Sequence, residues 1–261
     1  MAGRWLVRRE ARPDAAARLY CFPHSGGSPG EYVRWSDDLP DVDVWGVQTP
    51  GHGSRLGEPP FTRLRPLVEA LLRDASFETP FAFFGHSLGA LVAYEVARTL
   101  RALGRDQPEL LFLSAYPAPH LPRAAPVAHL LPDPELLAIL EQQAGELPAE
   151  LRGDPELLRP VVSAFRADCE LFETYRPPDD APLDQPFVVL GGVDDHEATA
   201  GLAEWRRYTT GSFELRLFPG GHFYLRDERQ SVLRLVLETL TATSSRRRAG
   251  SASPSPRAMR R

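Results

Sequence analysis

The chain contains no lysine, only two cysteines and two methionines in 261 residues, and no uninterrupted apolar run of the roughly 18 residues that a bilayer span requires. Two cysteines are too few for a disulfide framework. Neither lies in a CxxC or Cys/His cluster with tetrahedral metal spacing, so Cys21 and Cys169 are expected to be ordinary buried or half-buried thiols, with no metal and no cofactor. The first twenty residues carry Arg4, Arg8, Arg9, Glu10, Arg12 and Asp14 where a signal peptide needs an apolar segment, so a cytoplasmic location is expected. The exclusive use of arginine points to GC-rich coding more than to a nucleic-acid interface. The net charge is −5, and six arginines with no Asp or Glu lie in 241–261, which leaves 24 basic against 35 acidic residues in the body. An acidic body argues against DNA or RNA as a partner.

What is present is a chain that is 43% hydrophobic, long enough for one α/β domain with a large core or for two smaller domains. Short β-like runs alternate with helical patterns: RLYCFP (18–23), VDVWGVQ (42–48), FAFF (81–84), LLFLSAY (110–116), FVVLGG (187–192) and FELRLF (213–218). Such alternation predicts a mostly parallel sheet with helices on both faces. A closing helix over 228–240 presents Val232, Leu233, Val236, Leu237 and Leu240 as one apolar stripe. The body is therefore expected to end near residue 240. The Ser/Ala/Pro/Arg-rich stretch 241–261, with little to bury, reads as a disordered tail. Between Tyr116 and Phe187 no strand is apparent, but helical patterns at 133–144 and 154–175 are set between Pro-rich joints. This insertion, about 118–182, is expected to lie over the carboxyl edge of the sheet as a lid, where parallel sheets bind ligands.

GHSLG (85–89) follows the apolar run FAFF and precedes a long apolar helix, the setting of a nucleophile elbow. Small residues two places either side of the serine let the backbone reverse, and Gly85 and Gly89 fill those places. Ser87 is the expected nucleophile. A serine hydroxyl needs a base, and the base an orienting acid, in the chain order Ser, Asp/Glu, His. Of seven histidines, His196 and His222 lie beyond the insertion. His222, after the strand and glycines of FELRLFPGG, is the better placed base. The acid falls at the end of FVVLGGVDD; successive side chains point in opposite directions, so only one of Asp194 and Asp195 can face the histidine, and we favour Asp195. Backbone amides of Leu88 and, in the loop FPHSGGS, Ser25 are the expected oxyanion donors. The same loop can also open a helix, with Ser28 as N-cap and Pro29 at the first helical position.

The set LYCFPHSGGS (19–28), TPGHGSRLGEPP (49–60), FFGHSLGALVAYEVAR (83–98) and FPGGHFYL (218–225) resembles the type II, external thioesterases of polyketide and nonribosomal peptide biosynthesis, members of the α/β-hydrolase superfamily. GHSLG is common to many esterases and lipases; the FPH loop and the PG…EPP segment are more particular to this family. The resemblance implies an α/β-hydrolase fold with a helical lid, the triad Ser87, Asp195 and His222, and the amides of Ser25 and Leu88 as oxyanion hole. It also implies a monomeric enzyme that hydrolyses acyl groups from the phosphopantetheine arm of acyl or peptidyl carrier proteins and clears stalled or aberrant chains. Carrier domains tend to be acidic, which makes Arg123, Arg152, Arg159 and Arg166 of the insertion candidates for docking. The sequence departs from the family at His52, where members usually carry Arg and which reads as peripheral, and at GGVDDHEAT, with its second Asp and no following Pro. A stand-alone carboxylesterase acting on small oxygen esters is the alternative.

Overall fold

The computed structural model describes residues 4–122 and 127–251. Its strands are β1 (Leu6–Val7), β2 (Ala17–Phe22), β3 (Val42–Val47), β4 (Phe81–His86), β5 (Leu111–Ser114), β6 (Phe187–Gly192) and β7 (Phe213–Phe218). They form one sheet in the order β1-β3-β2-β4-β5-β6-β7, parallel throughout except for the antiparallel β1–β3 pair. The chain passes from β2 to β3 on one side and then crosses back to β4 on the other. The carboxyl ends of β2 and β4 therefore bound a topological switch point, where open parallel sheets bind ligands. In the register there, Phe22 lies opposite Gly85.

The central strands are apolar on both faces because both are covered. Tyr20, Phe22, Phe81 and Phe83 point to one side, where they pack with α2 (Leu64–Asp74) and α3 (Leu88–Ala102). Leu19, Cys21, Ala82 and Phe84 point to the other and meet Tyr32, Trp35 and α9 (Arg229–Ser251). Both cysteines are buried and in no disulfide among the described residues, and burial raises the thiol pKa of Cys21, leaving it an unreactive core side chain.

Two expectations need correction. α1 (Gly30–Val33) has Pro29, not Ser28, at its cap position, and the Ser28 hydroxyl only accepts a long 3.4 Å bond from the Gly30 amide. The closing helix does not stop at residue 240: α9 runs to Ser251. Its packed face of Val232, Leu233, Val236 and Leu240 extends by one turn to the buried Ser244, and Arg247 donates to Glu109 at 2.6 Å. A helix already nucleated by packing propagates through good helix formers such as Ala and Arg at little cost. The rest of the expected disordered tail, 252–261, lies outside the described residues.

Between β5 and β6 the insertion forms α4 (Asp133–Ala144), α5 (Ala149–Arg152) and α6 (Pro155–Glu173). The Asp154 side chain caps α6 by accepting from the Glu156 amide at 2.9 Å. Leu136, Leu140, Val162, Phe165 and Cys169 give the insertion a small core of its own. One edge of that core rests on the loop after β2: a Cβ on Gly26 would stand 3.0 Å from Leu140 Cδ1 and 3.3 Å from Phe165 Cδ2.

Candidate active site

Ser87 sits between β4 and α3 at φ 53°, ψ −125°, a conformation that few residues other than glycine adopt. Its amide donates to Ser114 O at 2.8 Å and its carbonyl accepts from Ala90 at 2.9 Å, so the turn is held from both sides. The flanking glycines are sterically required. A Cβ on Gly85 would lie 2.2 Å from Gly89 O, and one on Gly89 would lie 2.0 Å from Phe22 O and 2.7 Å from Pro23 O. These obstacles are all backbone atoms, and those facing Gly89 lie at the root of the loop after β2. Gly89→Ala is therefore expected to cost about 3 kcal/mol or more, lowering Tm by roughly 6–12 °C in a thermal melt. Activity should fall in the fraction that still folds.

The same close approach sets the start of α3, which carries Leu88, against the root of the loop that carries Ser25. Leu88 is the first residue of α3, so its amide is one of the helix's unpaired N–H groups. Ser25 is buried, at the second position of a turn closed by Gly27 N–H donating to His24 O at 2.9 Å, with Gly26 at φ +70° in the third position. The amide of Ser25 donates to no acceptor among the described residues.

The acid and base come from the next two strand ends. The loops after β6 and β7 are laced by Val193 N–H to Phe218 O (2.9 Å) and Asp194 N–H to Gly220 O (3.0 Å). A Cβ on Gly192 would lie 2.3 Å from both Gly220 O and Gly221 O, which is why this crossing needs glycine. The crossing brings His222 Nδ1 to 2.6 Å from Asp195 Oδ2. Asp194 is exposed. Asp195 also accepts from the Ala198 amide at 3.3 Å, capping α7 (His196–Leu202), and this second bond holds the carboxylate. With Nδ1–H donated to Asp195, His222 Nε2 carries the lone pair that can take a proton. The His222 ring lies 5.2 Å from that of His86, the residue preceding Ser87. His196 starts α7 at the surface and takes no part.

Two further histidines line the site. His86 is fully buried, with Nδ1 bonded to Ser114 Oγ (2.8 Å), which is in turn bonded to the Tyr224 hydroxyl (2.8 Å). His24 Nδ1 meets the Tyr32 hydroxyl at 3.2 Å. Burial, reinforced by neighbouring cations, pushes His24 down to about 3 and His86 well below its ordinary value, so both are neutral. Below the unfolded-state pKa of about 6.5 the unfolded chain binds protons that these two sites refuse. Their stabilisation is therefore complete above that pH and lost as the pH falls, at a slope approaching about 1.4 kcal/mol per pH unit for each. Urea midpoints between pH 7 and 5 should show this slope, and His24→Asn with His86→Asn, which keep a hydrogen-bonding atom near Nδ1, should flatten it.

His52, expected to be peripheral, is buried in a cleft that also includes Leu88, the residue after Ser87. Its Nε2 stands 2.8 Å from Oδ2 of Asp168, a buried carboxylate of α6. The cleft they share is lined by Phe22, His24, Gly27, Leu88, Val92 and Leu171 among others, so that apolar side chains and the polar groups of His24, His52 and Asp168 face one groove. The expected cationic docking patch is not free. Arg152 pairs with Glu141 and Arg159 with Glu156, each at 2.7 Å. Arg166 donates to the carbonyls of His129 and Leu131 and to Asp133, all at 2.6 Å. Arg123 lies outside the described residues.

A serine on a strained elbow and an Asp-oriented histidine at the ends of neighbouring parallel strands fit a serine hydrolase of the α/β-hydrolase type. Comparison with known proteins narrows the class. The chain belongs to the thioesterase domain family, whose model matches residues 17–240, and it is a thioester hydrolase. It is similar to thioesterase PikA5 of Streptomyces venezuelae, with 39% identity over 93% of this chain and 87% of that protein. It is also similar to linear gramicidin dehydrogenase LgrE of Brevibacillus parabrevis, with 37% identity over 91% of this chain and 92% of that one. The solved structure of the type II thioesterase BorB, from the borrelidin biosynthetic cluster, matches with a TM-score of 0.81 at 37% identity, covering 92% of this chain and 99% of BorB. No helix among the described residues is long and apolar enough to cross a membrane.

Proposed function

We propose that this enzyme removes acyl groups from the phosphopantetheine arm of carrier proteins in a polyketide or nonribosomal peptide synthase, releasing free acid from stalled or wrongly loaded carriers. Its relatives PikA5 and BorB, named as thioesterases, support the reaction, and BorB's place in a biosynthetic cluster supports the setting. The observation that carries the reading is the cleft walled by Leu88, the residue after Ser87, on one side and by Asp168 and Leu171 of α6 on another. It suits an acyl chain entering beneath a lid while the thiol arm stays outside. Ser87 attacks the thioester carbonyl as His222 takes its proton, and the amides of Leu88 and Ser25 receive the developing oxyanion. The leaving thiol, with a pKa near 8.5 if it resembles cysteine, departs with little assistance. Water activated by His222 then frees the acid from the serine ester.

The test is mass spectrometry of a carrier protein loaded with acetyl or propionyl groups, beside a p-nitrophenyl ester of the same acid. Release of the carrier thiol at a much higher kcat/KM than cleavage of the ester supports the proposal. A carrier that stays loaded while the ester is consumed would assign the site to an ordinary carboxylesterase.

A further inference from the structure

The reaction as described uses neither Asp168 nor His52, yet both are buried beside the oxyanion loop. Asp168 lies on the core-facing side of α6, where a carboxylate is out of place unless it is fully bonded. One oxygen, Oδ2, accepts both from the Gly26 amide at 2.7 Å and from His52 Nε2 at 2.8 Å. The Gly26 amide belongs to the peptide directly after Ser25, in the middle of the turn that aims the Ser25 N–H. Lid side chains Leu140 and Phe165 stand next to the same glycine, close enough that a Cβ there would meet both. The outermost part of the oxyanion hole is therefore held in place by the insertion.

His52 keeps the carboxylate in register whatever its own charge. Its Nδ1 lies 3.0 Å from the Thr49 hydroxyl and 3.2 Å from Pro50 O. As a cation it donates from Nδ1 to the carbonyl; as a neutral ring it accepts there from Thr49 and still donates Nε2–H to Asp168. Burial alone would lower its pKa, but the charge and hydrogen bond of Asp168, with the Pro50 carbonyl, outweigh burial and raise it.

We infer that Asp168 is a positioning residue: through the Gly26 amide it sets the Ser25 turn, so that the oxyanion hole is complete only while α6 is docked. The inference rests on Ser25 being an oxyanion donor of the proposed thioesterase. It makes acyl binding under the lid and assembly of the transition-state site a single event. A substrate too large to let α6 settle would bind without being turned over quickly.

The experiment compares Asp168→Leu, the double variant His52→Leu with Asp168→Leu, and Asp168→Asn against the wild type, with Ser87→Ala as the inactive reference. The substrate is an acetyl N-acetylcysteamine thioester. The double variant leaves no buried charge unpaired, so it should fold even if the single Leu variant does not. Loss of one oxyanion donor costs about 100- to 1000-fold in kcat, so a displaced donor should cost about 30- to 300-fold with KM nearly unchanged. Affinity for a trifluoromethyl ketone, whose adduct oxygen occupies the same hole, should fall in parallel. Asp168→Asn, which retains an acceptor for the Gly26 amide, should recover part of the loss. A folded double variant with kcat and ketone affinity within about threefold of wild type would overturn the inference, since an anchoring role alone moves neither. If the wild type fails on the thioester, or Ser87→Ala matches it, the reading of the site fails instead.

Discussion

Ser87→Ala is expected to lower turnover of an acyl thioester by about ten-thousand-fold or more, while Ser87→Gly is expected to be equally inactive and more stable than the wild type. The first effect follows from the role. Once the nucleophile is gone, the histidine and the amides have no acyl-enzyme to form, and only binding and oxyanion stabilisation remain. The second follows from φ 53°, ψ −125° at a residue with a Cβ, a strain of about 1–3 kcal/mol that is retained because the serine must stand clear of the sheet. Glycine relieves that strain and gives back roughly 0.5–1 kcal/mol through its greater unfolded-state entropy. The net gain should raise Tm by a few degrees. Thermal melts and steady-state rates on the same preparations check both halves, and a destabilised glycine variant would contradict the strain argument.

Asp195→Asn is expected to lower kcat by about 10³- to 10⁴-fold, whereas Asp194→Asn should change it by no more than about twofold. Asparagine can keep the cap on Ala198 and nearly the same shape. Facing His222 at 2.6 Å, however, its amide either donates to Nδ1, forcing the proton onto Nε2, or accepts without the charge that stabilises the imidazolium. In the first case the nitrogen that must receive the serine proton is already protonated. Asp194 has only a backbone role in this loop, through its amide to Gly220, which a side-chain change leaves intact. Equal losses in the two variants would mean that the β6 loop does not present one carboxylate alone. The pH dependence of the residual rate separates a wrong tautomer from a misfolded loop.

How much of this was legible in the sequence depended on the range of the interaction that decides each feature. The central strands announce themselves because both faces are buried: FAFF reads as strand whichever side faces a helix. β1 escapes notice because it is two residues long, held only by Leu6 and Val7 against Val47 and Gly46. The nucleophile is legible because its requirement is local, two glycines beside the serine. Which of Asp194 and Asp195 meets His222 depends on the crossing of two loops nearly thirty residues apart in the chain. The tail read as disordered from its composition, yet Ser244 and Arg247 continue a helix whose stability comes from residues before 240. The Arg candidates of the insertion were nominated by charge alone, and the acids that neutralise them, Glu141, Glu156 and Asp133, were equally visible in the same segment. His52 and Asp168 are 116 positions apart and meet only through docking of α6, so spacing offers no hint of the pair. One signal did exist. Asp168 interrupts the apolar face set by Phe165, Cys169 and Leu171, and a carboxylate in such a stripe calls for a partner.

Trapping the acyl-enzyme tests the account most directly. A branched acyl thioester chosen to deacylate slowly is mixed with the wild type, quenched in acid at intervals and digested at arginine. Cleavage after Arg73 and Arg98 isolates one peptide that contains both Ser76 and Ser87. The account predicts the acyl mass on Ser87 alone, appearing before free acid and absent from Ser87→Ala. Release of free acid with Ser87 unmodified at every time, or acylation of another residue that persists in Ser87→Ala, would contradict it.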